Sequence, residues 1–428
     1  MAELVQTYLD ELVAEFAPVS DGTLADYIPQ LAAVDPTGFG LTLSSADGYL
    51  YESGDARTEF TIQSVSKPFT YALALDQAGL DAVDARIGVE PSGDAFNEIS
   101  VDERTRTPKN PMINAGAIAA VSLIPGNTPD ERFTRIQDFY SACAGRPLEL
   151  DEDIYRSEQA TGNRNRAIAY MLASFGVLDE PDEVLDVYFR QCSLRVTSVD
   201  LARMSATLAR GGVNPKTGRR VTTPQVVQRT LSVMVTCGMY NGAGDWVSAV
   251  GMPAKSGVGG GIAAVLPGQL GIGVYSPLLD SRGNSVRGVL VCRALSYRLG
   301  LHFMNVSREE RMTIRAVYQA REDVRVYEMH GDLMFAGAEK VLRTIDRDCD
   351  DLTVAILDVT RVDTINDPAR ELLAGMSAAL QASGKQGLVV DPDSAVVRPG
   401  RGFDHMVFRT LDDALAAAEN WLRTNAER

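Results

Sequence analysis

Histidine is nearly missing from this chain: its 428 residues hold three, His302, His330 and His405, and none lies in the first 301. That scarcity argues against a Ser-His-Asp triad in the larger, N-terminal part. It argues equally against zinc, because neither HExxH nor a Cys/His cluster occurs, and His330 and His405 stand alone as structural or surface residues do. No metal is expected. Cysteine is sparse too: Cys143, Cys192, Cys237, Cys292 and Cys349 are odd in number, scattered and without CxxC spacing, the pattern of reduced thiols in a cytosol, and they are assigned no chemistry. No charge-free apolar run reaches the roughly 20 residues a transmembrane helix requires, so no membrane insertion is expected. Basic residues fall short of acidic ones, 41 against 57, and the formal charge of -16 repels phosphate backbones and anionic lipid. Nucleic acid is therefore a poor partner and a small-molecule substrate a better one. The GxGxxG fingerprint is also absent. GVGGG after Lys255 misses its spacing and lacks a βαβ setting, so it reads as backbone packed close to a ligand, and no cofactor is expected.

What is present is an ordinary globular composition, 45% hydrophobic and 23% charged, in a chain long enough for two domains. The first residues, MAELVQTYLDELVAEFAPVSDG, read as an amphipathic helix without the basic end and apolar core of a signal peptide, which predicts a cytoplasmic protein. FGLTLSS, ADG and YLYESGD predict a hairpin. From Ser64 the period becomes helical, with Pro68 tolerated in a first turn, and AIAAVSLI, NRAIAYMLASFG and SVDLARMSATLARGG continue a helical subdomain, the last opened by a Ser cap. WVSAVGMPAKSGV, GIAAVLPG and QLGIGVYS predict antiparallel strands that rejoin the hairpin, and SVRGVLVCRALSYRLGLHFMN a closing helix. The polar stretch 309–321 is read as a linker between a domain over 1–308 and a mixed α/β module over 322–428.

With histidine scarce, the candidate nucleophile is Ser64 in Ser64-Val65-Ser66-Lys67, where a hydroxyl and an amine three residues apart share one face of a helical turn. A lysine serves as base there only if burial and positive neighbours depress its pKa. Alone the motif carries little weight, since roughly one SxxK is expected by chance in a chain of this length. Lys255-Ser256-Gly257 on a later strand supplies the second half of a pair that resembles the SxxK/KTG pair of penicillin-recognising serine enzymes.

The resemblance then narrows. YIPQLA from Tyr27, QSVSKPF from Gln63, NPMINAGAI around Asn114, SEQATGNRN from Ser157, YFRQCS from Tyr188, CGMYNGAGDW from Cys237 and GMPAKSGVGGGI from Gly251 stand in the order found in the serine-dependent glutaminase family, over roughly the first 305 residues. The resemblance implies an α/β fold of the serine β-lactamase/DD-peptidase kind, an antiparallel sheet with a helical subdomain. It implies hydrolysis of glutamine to glutamate and ammonia, with Ser64 as nucleophile and Lys67 as its base. Tyr27 and Tyr240 would be hydroxyl partners that move protons, their roles not yet divided, and the N–H groups of Ser64 and Val258 the oxyanion hole. Asn114, Glu158, Asn165, Tyr188 and Tyr240 would hold the substrate, Glu158 taking its ammonium. Glu158 and Asn165, seven apart, would share one helix face if that segment is helical. Lys255 and Ser256 would stand behind these contacts, the Lys255 ammonium keeping Lys67 neutral by repulsion. Family precedent implies a homo-oligomer, dimer or tetramer.

VRVYEMHGDLMFAGAEKVL and AILDVTRVDTINDPARELL resemble the STAS family of sulfate transporters and anti-sigma-factor antagonists over roughly the last 105 residues, which implies a protein or nucleotide partner and no catalysis. In place of a phosphorylated serine the matching turn reads Ile365-Asn366-Asp367-Pro368, without a hydroxyl. Two alternatives remain: another SxxK acyl-serine hydrolase of β-lactamase type, which the missing export signal disfavours, and a non-catalytic glutamine sensor, which the retained polar residues disfavour.

Overall fold

The computed structural model describes residues 2–92, 101–102, 104–306, 314–333, 335–365, 367–394 and 406–426. They fall into two compact units, Met1–Val306 and Ser307–Arg428. His405 and Asn366 lie outside the described residues. Among the described residues no helix is long and apolar enough to cross a membrane.

In the first unit the hairpin Gly40–Ser45 and Leu50–Gly54 forms as the Asp-Gly turn predicts, with Gly48 at a φ of +99°. Gly40–Ser45 pairs antiparallel with Leu270–Tyr275, which continues to Gly261–Leu266 and Ala254–Ser256, making one five-stranded antiparallel sheet. Alternation sorts its faces. Leu41 and Leu43 meet Leu9, Leu12, Val291 and Leu295 from the helices Ala2–Phe16 and Val286–Leu299. On the other face Thr42 bonds Ser198 at 2.8 Å, and the helix Ser198–Ala209 lies directly on the sheet. A Cβ at Gly273 would fall 2.0 Å from the Ser198 carbonyl oxygen, so only glycine permits this approach. Beyond that helix a second core, built on Phe69, Ile118, Tyr140, Leu172 and Phe189, gathers the helical part.

Two local expectations are corrected here. The Ser198–Ala209 helix is capped by Thr197, not Ser198, in a capping box with Asp200. WVSAV is not a strand: Ala243, Trp246 and Val250 are all buried, a helical spacing, and the segment forms the helix Ala243–Ala249.

The second unit is a mixed sheet in the order Val407–Phe408, Gln386–Val390, Val354–Ile365, Val324–Leu333, Ile314–Arg321, parallel except for the last strand. Leu357 and Tyr327 face Val341 and Leu373 of the helices Phe335–Arg347 and Asp367–Ala382, while Ile356 and Val326 face Ala414 and Ala418 of Leu411–Ala426. The linker expected over 309–321 is overturned for its described part, because Ile314–Arg321 is an edge strand. It turns back through Glu322-Asp323, with Asp323 at a φ of +64°, a tight turn made without glycine, and its outward charges hide the alternation. The strand through Gly331 also runs on to Leu333 across a register shift.

Candidate active site

The site begins where the short strand Phe60–Thr61 ends. Gln63 takes a φ of +48°, rare for a residue with a side chain, and swings the chain into the 3-10 turn Gln63–Ser66, which runs straight into the α-helix Lys67–Ala78. The first bond of this turn is donated by Val65 to Ile62, at 3.1 Å, so the Ser64 N–H precedes it and is not used by the helix. Behind the turn is a buried polar network. Tyr140 donates to the Ser66 carbonyl at 2.8 Å and Thr70 to Gln191 at 2.7 Å, which leaves the junction little freedom.

Lys67 is fully buried, its Nζ donating to Asn114 Oδ1 at 2.6 Å, and Asn114 Nδ2 donates on to Asn165 Oδ1 at 2.9 Å. Among the described residues no carboxylate pairs with Lys67, and burial pushes its amine down from the usual lysine range to about 8. Roughly a tenth of it is then neutral at pH 7. If Lys67 acts as a base, the acidic limb of kcat/KM will fall near pH 8, activity rising as the amine loses its proton. A limb below pH 6 in a pH–rate profile would rule that out.

Ser64, Asn114, Asn165, Glu158, Tyr27, Tyr188 and Val258 all line one cavity of about 300 Å³. Glu158 is buried, and burial raises its pKa against the opposing hydrogen bonds of Tyr27 and Gln63; the Tyr27 hydroxyl donates to Oε1 at 2.7 Å. The Tyr27 ring is half exposed, yet its hydroxyl points inward, and burial and then Glu158 hold the phenol well above its ordinary range. Tyr188 is buried and its phenol is likewise raised, first by burial.

Val258 sits in the turn after the strand Ala254–Ser256. Gly257 donates to Gly261 at 2.9 Å and Gly260 to Gly257 at 3.0 Å, so the turn does not use the Val258 N–H. A Cβ on Gly257 would stand 3.0 Å from Val65 Cγ2, which shows how closely this turn lies against the Ser64 segment. Tyr240, at a φ of +54°, hydrogen-bonds to Ser64 and donates to the Ser256 carbonyl at 3.0 Å. Lys255 and Ser256 lie behind it and do not line the cavity.

Two expectations change at the site. Glu158 and Asn165 do not share a helix: Glu152–Thr161 ends at Gly162 and Asn163–Ser174 begins anew, so the two residues come from facing ends of separate helices. A Cβ on Gly162 would strike Phe189 Cζ at 2.4 Å, so the break is set by packing that sequence spacing does not display. Burial is what lowers Lys67, while Lys255 is pushed well below the lysine range by burial and then by Lys67. Sequence reasoning also missed Gln63 and Cys192, both on the cavity wall. Both lie inside motifs of the resemblance, QSVSKPF and YFRQCS, and burial pushes the Cys192 thiol up to about 12. Among the described residues no group of three His, Cys, Asp or Glu side chains converges to hold a metal ion.

A hydroxyl beside a depressed amine, two unused N–H groups, and a buried carboxylate elsewhere in the cavity suit acyl transfer from an amide whose far end carries an ammonium. A family model described as glutaminase matches residues 22–304. Glutaminase 2 of Bradyrhizobium diazoefficiens is 45% identical over 97% of this chain and 71% of its own length, and the glutaminase of Corynebacterium glutamicum is 42% identical over 92% and 95%. Among solved structures, that of Mglu covers 91% of this chain and 98% of its own, with a TM-score of 0.83 and 45% identity, and Mglu in its glutamate form matches with a TM-score of 0.82, 41% identity and the same coverage.

Proposed function

The chain belongs to the glutaminase family and is a glutaminase, and we propose that it opens the side-chain amide of L-glutamine through a γ-glutamyl ester on Ser64. What carries the proposal is the buried Lys67 amine, one helical turn from Ser64 and bonded to Asn114, beside a cavity that Glu158 also lines.

Glu158 takes the α-ammonium, and Asn114, Asn165, Tyr188 and Tyr240 supply the remaining polar contacts. Neutral Lys67 accepts the Ser64 proton as Oγ attacks the amide carbon. Charge gathering on the carbonyl oxygen meets the N–H groups of Ser64 and Val258. The proton then passes to the departing nitrogen, with the hydroxyls of Tyr27 and Tyr240 assisting, the C–N bond breaks, and ammonia leaves. Water attacks the ester, again losing a proton to Lys67, which returns it to Ser64 Oγ as glutamate is released. The glutamate form of Mglu supports glutamate as the product bound.

The first unit is a catalytic domain over 1–308 of serine β-lactamase/DD-peptidase-like fold, a reading supported by its antiparallel sheet, the Lys67–Ala78 helix and the helical part beyond. The second, over 322–428 with its added edge strand, is a STAS-like module for a protein or nucleotide partner. The enzyme is cytoplasmic and a dimer or tetramer.

Ammonia release from glutamine by the purified full chain, with a chromogenic lactam left intact, separates this chemistry from that of a lactamase. Glutamine will be preferred over asparagine by about 100-fold or more in kcat/KM, because a missing methylene moves the amide carbon away from Ser64 while the α-groups stay clamped. Comparable values for the two amides would mean that Glu158 and its neighbours do not fix the amino-acid end.

A further inference from the structure

We propose that Lys255 is a positioning residue that acts on Ser64 through Tyr240 and the Ser256 carbonyl; this rests on the role given to Tyr240 above. Lys255 is fully buried on the strand Ala254–Ser256, and among the described residues no carboxylate pairs with it. Its Nζ donates to the Ser256 carbonyl oxygen at 2.6 Å and stands 4.0 Å over the centre of the Tyr240 ring. The Tyr240 hydroxyl donates to that same oxygen at 3.0 Å.

Three consequences follow from this arrangement. A phenol has one proton, and with it committed to Ser256 the Tyr240 hydroxyl is held in one orientation beside Ser64. Tyr240 also holds a left-handed backbone conformation that persists only where surrounding contacts over-determine it, and the amine on its ring face is such a contact. Finally, the doubly bonded Ser256 carbonyl precedes the Gly257-Val258 turn, so anchoring it also anchors the Val258 N–H. Burial and then Lys67 hold Lys255 well below the lysine range, and its N–H, donated to Ser256 over the Tyr240 ring, suits placement of neighbours.

A double-mutant cycle with Tyr240→Phe tests this. Lys255→Met, which keeps most of the stem and removes the amine, will lower kcat about 100-fold with KM changed less than about threefold, whereas the same change in a Tyr240→Phe background will cost less than about threefold. Lys255→Gln, which retains a side-chain N–H, will keep an intermediate kcat, and it carries the same cycle if the Met variant does not fold. Additive losses, or a KM that rises in step with the fall in kcat, would overturn the proposal while leaving the Ser64 and Lys67 chemistry standing. A Tyr240→Phe enzyme as fast as the parent would remove Tyr240 from the reaction, and the role of Lys255 with it.

Discussion

Ser64→Ala will abolish turnover, lowering kcat by about 10⁴-fold or more, while glutamine binding remains measurable by calorimetry. The two results belong together. The polar contacts proposed for the amino-acid end come from Glu158, Asn165 and Tyr188, all on helices of the helical part, and none depends on the Ser64 hydroxyl. Only the covalent step requires Oγ, and a water molecule in its place would lack the position that the Gln63–Ser66 turn gives the hydroxyl. A rate within tenfold of the parent would show that no γ-glutamyl ester lies on the pathway. Loss of binding together with turnover would instead show that the hydroxyl, or a fold that depends on it, shapes the ground-state complex.

Lys67→Met will be inactive to a similar degree, falling by about 10³- to 10⁴-fold, and the Ser64→Ala/Lys67→Met enzyme will be no slower than the worse of the two single variants. Nucleophile and base act as one unit: without the amine the hydroxyl has no acceptor of sufficient basicity, and without the hydroxyl the amine has no proton to take. Asn114 will remain in place in the variant, because its Nδ2 keeps the Asn165 bond. Single-turnover measurements on the three variants check this. A double variant slower by a further hundredfold than either single one would mean that the two side chains contribute independently.

The sequence made some of this visible and hid the rest for identifiable reasons. The sheet was legible because alternation at Leu41 and Leu43 and the glycine-bounded runs after Lys255 are local signals, and so was the helix carrying Lys67, with Pro68 in its first turn. The Ala243–Ala249 helix was misread because a seven-residue apolar segment satisfies both periods, and only Trp246 turning inward with Ala243 and Val250 decides between them. Ser64, Asn114 and Glu158 were found through motif order, since residues so far apart in the chain carry no local sign that they share a cavity. Gln63 lies in the same motif as Ser64, but part of its role is a backbone dihedral, and glutamine is not a residue whose presence announces a positive φ.

The buried Lys67 amine also sets how the fold responds to alkali. In the unfolded chain this group keeps its ordinary basicity, whereas in the folded one burial lowers it to about 8, so the native state binds fewer protons between those two values. Stability from this group is fully present above the unfolded pKa and is lost as pH falls through about 8, a loss of about 3 kcal/mol by neutral pH. Folding between about pH 8 and the ordinary lysine range therefore expels protons into the buffer, and near pH 7 the substrate-free enzyme works under a thermodynamic handicap located at its own base. The inactive Lys67→Met protein should accordingly melt at a higher temperature than its parent at pH 7, with the gap narrowing as both are heated in progressively more alkaline buffers.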